Sequence, residues 1–381
     1  MEIDVKRVQE TNAFSCLECG KCTGTCPVSR YSQTFSPRQI LTRSIHQNSH
    51  PQALEVNGLW SCLTCMRCDE ICPSEIKYSD LILMLRQFRG IENRDGTCSH
   101  GGILESIAKI MTTPNLKQQR LDWLTKEYQT SSDGEYLYFM GCLPYFDALF
   151  SSIDVQSLNI ARSTMKILNY FDIKPQLLAD EKCCGHDLYW NGDINNFTKL
   201  AKSNIKAIKQ SGAKKIVTAC PECYRTLKVD YQNNFGSQEY EVFHISEFID
   251  KQLDGKNHKI KTDEQKITFQ DPCRLGRHLN IYEAPRNVLS HLTGFEMKEM
   301  AHHHKRSICC GVSGWMNCSQ ISKQIQSQRL GEAKSTGAET LITACAKCQV
   351  HFKCAMKDEK LNLDVGIDVK DLTEVFAENL H

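Results

Sequence analysis

The chain of 381 residues has almost no charge of one sign in excess, with 46 Lys plus Arg against 45 Asp plus Glu. That balance argues against nucleic acid or an acidic membrane surface as the main partner. No window approaches the roughly 20 apolar residues of a membrane span. The opening MEIDVKRVQETNAF lacks the apolar core of a signal peptide, so a cytoplasmic protein is expected. No Gly-rich phosphate loop, dinucleotide fingerprint or flavin site is readable. Electrons for any redox chemistry must then come from another subunit. What the chain has in quantity is cysteine, 21 in all. Without a sign of export, clustered thiols point to metal or iron–sulfur ligation rather than to disulfides.

Residues 16–27 read CLECGKCTGTCP and 62–73 read CLTCMRCDEICP. Both fit C-x2-C-x2-C-x3-C-P, the bacterial ferredoxin run whose fourth cysteine ligates the other cluster. By that rule Cys16, Cys19, Cys22 and Cys72 hold one [4Fe-4S] cubane, and Cys62, Cys65, Cys68 and Cys26 hold a second. Zinc is the alternative for such thiols, although zinc ligands usually come as two separated pairs. Between the runs, Ser36-Pro37 signals a helix start followed by Ile40, Leu41 and Ile45 at helical spacing. After the second run, Ser79 is the expected cap of a helix carrying Leu81, Leu85 and Phe88, and residues 103–126 are predicted to add two more helices. A polar break follows at Ser131-Ser132-Asp133-Gly134. The module resembles the α-helical ferredoxin domain of succinate dehydrogenase iron–sulfur subunits. Two clusters in series make an electron path.

The remaining two-thirds says one thing twice. Cys142, Cys183-Cys184-Gly185 and Cys220-Pro221-Glu222-Cys223 are answered by Cys273, Cys309-Cys310-Gly311 and Cys345-Ala346-Lys347-Cys348. GAKKIVTACPEC at 212–223 reads against GAETLITACAKC at 337–348. Each copy alternates apolar runs with helical ones, the βαβ pattern. In the first copy strands are predicted at 136–140, 176–179 and 215–219, with helices at 155–171 and 194–209. In the second, strands are predicted at 267–269, 295–300 and 340–343, with helices at 285–292 and 321–334. The polar stretch 252–265 divides the copies. The cysteines fall after strand ends, where open α/β sheets place their ligand crevice, and Cys220-Pro221 has the form of a helix start, favourable to an anionic cluster. Five cysteines per copy exceed what a cubane needs. Either one thiolate bridges irons or one cysteine is a spectator.

This doubled pattern behind a double ferredoxin run resembles the CCG-domain proteins, in particular the D subunit of heterodisulfide reductase. It equally resembles the iron–sulfur subunits of glycolate oxidase, anaerobic glycerol-3-phosphate dehydrogenase and thiol:fumarate reductase. The resemblance implies an α-helical ferredoxin domain over 1–130, then two tandem Rossmann-like α/β CCG domains over 134–252 and 265–375 in pseudo-twofold arrangement. It also implies a noncubane [4Fe-4S] cluster on Cys142, Cys183, Cys184, Cys220 and Cys223 and another on Cys273, Cys309, Cys310, Cys345 and Cys348. Between them the disulfide of coenzyme M and coenzyme B would be cleaved, in an anaerobic, methanogenesis-type setting. The implied partners are a flavoprotein or a cytochrome b membrane protein, which would hold the chain peripherally at the inner face of the membrane. An electron relay serving a flavin-dependent hydroxy-acid or glycerol-3-phosphate dehydrogenase is the rival reading.

Where family members commonly have CCGAGG, this chain reads CCGVSGW, which places Trp315 at the second CCG motif. His186 follows the first motif, either as proton donor to a nascent thiolate or as a structural histidine. His302-His303-His304-Lys305-Arg306 reads as a metal ligand set, a cationic patch or a solvated loop. Arg274 and Arg277 are placed to tune a cluster or hold an acidic group, and Cys98, Cys318 and Cys354 are read as small buried hydrophobes.

Overall fold

Short runs rich in β-branched and aromatic residues, too brief for helices, become parallel strands in both cysteine copies. The computed structural model describes residues 5–46, 58–90, 94, 96–254, 259–363 and 365–380. The chain forms two compact units. One comprises Met1–Ile110, Gly185–Thr198 and Ile308–Gln326, the other Met111–Cys184, Lys199–Ser307 and Ser327–His381.

In the first unit the two ferredoxin runs fold alike. Asn12 and Gly58, both left-handed, lead into single 3-10 turns at Ala13–Ser15 and Leu59–Ser61, each delivering the first cysteine of a run. Left-handed residues recur at Glu18 and Gly20 and at the matching Thr64 and Met66. Each run then ends in a short helix, Lys21–Thr25 or Arg67–Ile71, and these two helices pack together. Helix Pro37–His46 begins where expected, with the Gln39 amide donating to Ser36 Oγ at 3.3 Å. The next helix, Tyr78–Arg89, starts one residue earlier than its expected cap. Lys77 holds the cap position, and Ser79 instead donates its amide and hydroxyl to Asp69, both at 3.1 Å. Of the two helices expected over 103–126, only Ile103–Ile110 forms. Pro114, which lacks an amide donor, and the left-handed Asn115 stop any continuation.

The second unit holds two parallel sheets. Strands β1 (Tyr136–Tyr138), β2 (Lys215–Thr218) and β3 (Glu241–His244) lie in the order β1-β2-β3. Strands β4 (Gln265–Gln270), β5 (Phe295–Met297), β6 (Thr340–Thr343) and β7 (Asp368–Asp371) lie in the order β5-β4-β6-β7. Register puts Ile216 between Leu137 and Val242, and Ile342 between Phe269 and Lys370. The strand expected at 176–179 shrinks to one parallel bridge, Leu137 to Gln176, at the place β5 takes beside β4. Pro175 offers no ladder donor and a turn begins at Ala179, so nothing extends it. Buried Phe139, Ile160, Met165 and Leu168 belong to one copy's core, and Phe269, Val288, Leu330 and Phe352 to the other's.

Both copies close on a helix with a capping box, Ile245–Leu253 from His244 and Glu247, and Leu372–Glu378 from Asp371 and Glu374. Helix Ser157–Tyr170 of the first copy packs on Leu372–Glu378 of the second, where Lys166 Nζ donates to the Ala377 carbonyl at 2.7 Å. Helix Glu283–Ser290 of the second packs on Ile245–Leu253 of the first. The exchange is reciprocal.

The capping His244 is wholly buried, and burial lowers its pKa from 6.5 to about 4. Between those values the folded chain binds fewer protons than the unfolded one. Stability is therefore intact above pH 6.5 and falls as pH drops through the window, by about 2 kcal/mol at pH 5. His244→Asn keeps a capping side chain and removes the titration. Urea unfolding at pH 7.5 and pH 5 is expected to show the variant losing less stability than wild type. Equal acid sensitivity in the two proteins would refute it.

Candidate metal centres

In the first unit Cys16, Cys19, Cys22 and Cys72 line one cleft of about 450 Å³, open mouth included, together with Ile76 and Tyr78. Cys68 reaches the same cleft. Cys26, Cys62 and Cys68 form a second group with Cys65, whose nearness helps to raise the other three. Burial is the main cause in each case: it takes Cys26 to about 11 and Cys62 to about 12, and lifts Cys68 well above its ordinary value with the Asp69 carboxylate adding to the effect. The left-handed residues turn amides inward, so that Glu18 donates to Cys16 Sγ at 3.4 Å and Thr64 to Cys62 Sγ at 3.3 Å. Buried thiols of this kind ionise only against a compensating positive charge, which a bound metal supplies.

All five cysteines of the first CCG copy lie in the second unit. Cys142 and Cys220 occupy the positions that cap helices Leu143–Phe150 and Pro221–Arg225. The Cys223 thiol bonds with those of Cys184 and Cys220, and Cys184 also bonds with Cys183. The Cys183 contact and burial raise Cys184 well above the usual thiol range against the lowering contact from Cys223, and Cys223 is raised by Cys184, Cys220 and burial. Cys142 and Cys183 bear on the same Tyr145 ring hydroxyl. The loop around Cys183-Cys184 is held by its main chain. Met111 Sδ accepts from the Cys183 amide at 3.1 Å, Asn204 donates to the Cys183 carbonyl at 3.1 Å, and Tyr231 donates to the Cys184 carbonyl at 2.9 Å. The buried Glu181 accepts from the Gly141 amide at 2.8 Å and pairs with Arg120 at 2.6 Å, tying the Cys142 loop to the Cys183 loop. Burial raises Glu181 to about 7 despite that partner.

The size of the group these thiols suit can be tested. Around a single zinc, Zn–S bonds of about 2.3 Å place tetrahedral sulfurs about 3.8 Å apart. Among the described residues, the only three His, Cys, Asp or Glu side chains with ligand atoms mutually within 4.8 Å are Glu299, His303 and His304. No three of the described thiols approach that closely. Among the described residues, therefore, no cysteine triad has the close mutual spacing that a single zinc ion requires.

Residues 12–76 match the 4Fe-4S dicluster domain model, and 136–228 and 267–353 match the CCG cysteine-rich domain model. The chain thus carries a 4Fe-4S dicluster domain followed by two CCG cysteine-rich domains. It is 29% identical to the D subunit of dihydromethanophenazine:CoB–CoM heterodisulfide reductase from Methanosarcina acetivorans, over 99% of this chain and 97% of that one. It is 26% identical to the B subunit of fumarate reductase (CoM/CoB) from Methanothermobacter marburgensis, over 91% of this chain and 68% of that one. A crystal structure of a hypothetical protein from Helicobacter pylori matches the fold at TM-score 0.51 and 11% identity, over 92% of this chain and 68% of that one. The CCG protein is thus an iron–sulfur oxidoreductase component homologous to the heterodisulfide reductase D subunit.

In the second CCG copy, Cys273, Cys345 and Cys348 belong to the second unit, and Cys309 and Cys310 to the first. Four of the five are buried and Cys273 is half-buried. Gln326 donates to the Cys310 carbonyl at 3.3 Å. Arg286 grips Asp271, two residues before Cys273, at 2.7 Å, and Asp271 accepts from the His304 amide at 2.8 Å.

Several candidates have ordinary partners. His186 is buried in the first unit at the start of helix His186–Asn191, its ring 6.1 Å from Trp190. Trp315 packs edge-on to His100 at 6.0 Å, and its carbonyl accepts from the Ser99 amide at 2.7 Å. Glu299 is paired with Arg286 at 2.6 Å, His302 with Glu332, and His304 with Glu283 at 3.1 Å. Arg277 donates to the Ser307 carbonyl at 2.7 Å, whereas Arg274 contacts His278. The leftover cysteines are not the small buried hydrophobes expected. Cys318 is exposed, Cys354 half-buried, and Cys98 points its thiol at Glu105 at 2.8 Å. Each stands beside polar groups or solvent rather than inside an apolar core. Sequence reasoning passed over Asp69, a spacer residue inside the second ferredoxin run, and Glu181 and Gly141, which stand just outside the cysteine motifs.

Gly141 is left-handed at φ 69°, and a Cβ there would lie 2.8 Å from Cys223 Sγ. Gly141→Ala must therefore shift that thiol as well as bear roughly 1 kcal/mol of left-handed strain. Iron content is expected to fall by about four atoms per chain, the load of one cluster. A variant with wild-type iron and wild-type spectra would show that Cys223 is no ligand.

Proposed function

We propose that this CCG protein is the catalytic subunit of a disulfide-reducing complex, acting on the mixed disulfide of coenzyme M and coenzyme B or a close analogue. The observation that carries the reading is completeness. Both copies keep all five cysteines, in a chain whose relative over nearly its full length is a heterodisulfide reductase component. In this reading Cys16, Cys19, Cys22 and Cys72 hold one cubane and Cys26, Cys62, Cys65 and Cys68 the other. Cys142, Cys183, Cys184, Cys220 and Cys223 hold one noncubane cluster, and Cys273, Cys309, Cys310, Cys345 and Cys348 its counterpart. Bound clusters supply one-electron steps and iron sites for sulfur.

The chain's residues do the rest. The ferredoxin module (1–130) sets the electron path with its paired runs. The two CCG domains (134–252 and 265–375) present one cysteine set each, matching a reaction that needs two electrons and yields two thiolates. The reciprocal helix exchange between the copies supports a pseudo-twofold, Rossmann-like pair. The Arg120–Glu181 pair and Asn204 hold the ligand loops of the first copy in place. His186, directly after Gly185, is the proton donor of this reading at the first motif. Electrons come from a flavoprotein or cytochrome b partner, which would also place the protein at the inner membrane face; none of the described helices is long and apolar enough to cross a membrane.

Anaerobic iron and sulfide analysis, followed by EPR of the oxidised protein with coenzyme M or coenzyme B thiol, tests this. About sixteen irons per chain and a new thiol-dependent signal are expected. About eight to twelve irons, with spectra indifferent to both thiols, would leave an electron relay instead.

A further inference from the structure

The two Cys-x-x-Cys loops carry opposite charges at matched positions, Glu222 in Cys220-Pro221-Glu222-Cys223 and Lys347 in Cys345-Ala346-Lys347-Cys348. Each loop opens a helix, Pro221–Arg225 or Ala346–Met356. The first turn of a helix favours an acid and disfavours a base. Glu222 suits its own helix, whereas Lys347 opposes its own. Lys347 is nonetheless only 3% exposed, a rare state for a lysine. Its partner lies in the other copy: Nζ is 2.6 Å from Glu222 Oε2.

Two more crossings lie along the same seam of the second unit. The buried His244 ring faces the backbone of both Ala219 and Ala344, the residues immediately before Cys220 and Cys345. Arg274, immediately after Cys273, lies within electrostatic reach of Asp230, which pairs with Arg225 at 2.6 Å. At three points, then, the copies meet through residues close to the ligand cysteines.

We propose that Glu222 and Lys347 form a positioning pair that latches the two Cys-x-x-Cys loops together, so that the cluster held by one copy depends on a side chain from the other. The inference rests on the reading that both loops carry cluster ligands. A buried ion pair is no better a stabiliser than packed apolar groups, but it is favourable in one register only, and losing one partner strands the other charge. That asymmetry separates a latch from mere packing. Without Lys347, the Glu222 carboxylate next to Cys223 loses that counter-charge and opposes added electrons in the first copy. Without Glu222, the Lys347 ammonium next to Cys348 loses its counter-charge and favours them in the second. The two variants shift the two copies in opposite directions.

The test uses the full chain, purified anaerobically, as Lys347→Met, Glu222→Gln and the swap Glu222→Lys with Lys347→Glu. Cys184→Ser and Cys310→Ser serve to assign each copy's EPR signal. Lys347→Met is expected to weaken iron retention in the first copy about tenfold or more and to lower that copy's midpoint potential. Glu222→Gln is expected to raise the second copy's potential, and the swap to recover most of the iron. Single variants with wild-type iron and potentials, or a swap no better than the worse single, would overturn the latch. If wild type itself holds only the irons of the ferredoxin runs, the underlying reading fails, and urea unfolding of the metal-free chain still decides. Rescue by the swap supports the latch there, and additive losses overturn it.

Discussion

Cys26→Ala should remove the iron bound by Cys62, Cys65 and Cys68, although its neighbours in sequence are Cys16, Cys19 and Cys22. The cause is spatial: Cys26 feels Cys65, and Cys62 and Cys68 both feel Cys26, whereas the cleft of Cys16, Cys19 and Cys22 is completed by Cys72. Each single loss is expected to cost about four irons per chain. The decisive comparison is between double variants. Cys26→Ala with Cys62→Ala strikes one cluster twice and should lose no more iron than either alone. Cys26→Ala with Cys16→Ala strikes two clusters and should lose about eight. Sites that share a partner are non-additive, and independent sites add. If the pattern were reversed, with Cys26 additive to Cys62 but not to Cys16, each run would hold its own cluster and the crossover would be wrong. Electron transfer from a reduced donor should fall with Cys26→Ala to the level of Cys62→Ala.

Spacing made this grouping of the cysteines legible, because a cluster must be reached by cysteines at fixed offsets. What surrounds the ligands was harder to read. Nothing in the text of the runs announces that Glu18 and Thr64 adopt left-handed backbone, since neither is a glycine. Likewise β6 was readable from its apolar run TLIT, and Ser157–Tyr170 from its helical period. Strands β3 and β7 were missed: EVFH and DVKD each place only two buried side chains in four residues, and their pairing partners lie far away in sequence. The capping boxes that follow them, His244 with Glu247 and Asp371 with Glu374, were signals open to sequence reading. The pairing of Glu222 with Lys347 was not. Opposite charges at matched repeat positions become meaningful only when the copies are seen to meet there.

The second large effect concerns Arg86, in the third turn of helix Tyr78–Arg89, whose sequence YSDLILMLRQFR reads simply as amphipathic. The side chain is 1% exposed and its guanidinium serves backbone carbonyls. Nη1 donates to Trp190 at 2.7 Å, and Nη2 to Leu59 at 3.0 Å and to Cys62 at 2.7 Å. Helix Tyr78–Arg89, the ligand run and the His186–Asn191 segment are thereby joined within the first unit. Gly192 shows how closely they fit: a Cβ there would lie 2.7 Å from the Arg86 carbonyl carbon. The cation also opposes the rise that burial imposes on the Cys62 thiol. Arg86→Ala would strand three buried carbonyls and leave a cavity, a loss on the order of 4 kcal/mol. Arg86→Lys keeps the charge but cannot spread five donors over three acceptors, and should fall between. Urea unfolding of the three metal-free proteins measures the ranking. Iron retention by the Cys62 group should follow the same order, because the Cys62 carbonyl is held by the lost guanidinium and its thiolate by the lost charge. An alanine variant as stable as wild type, with full iron, would mean that those carbonyls find other donors and that Arg86 is dispensable.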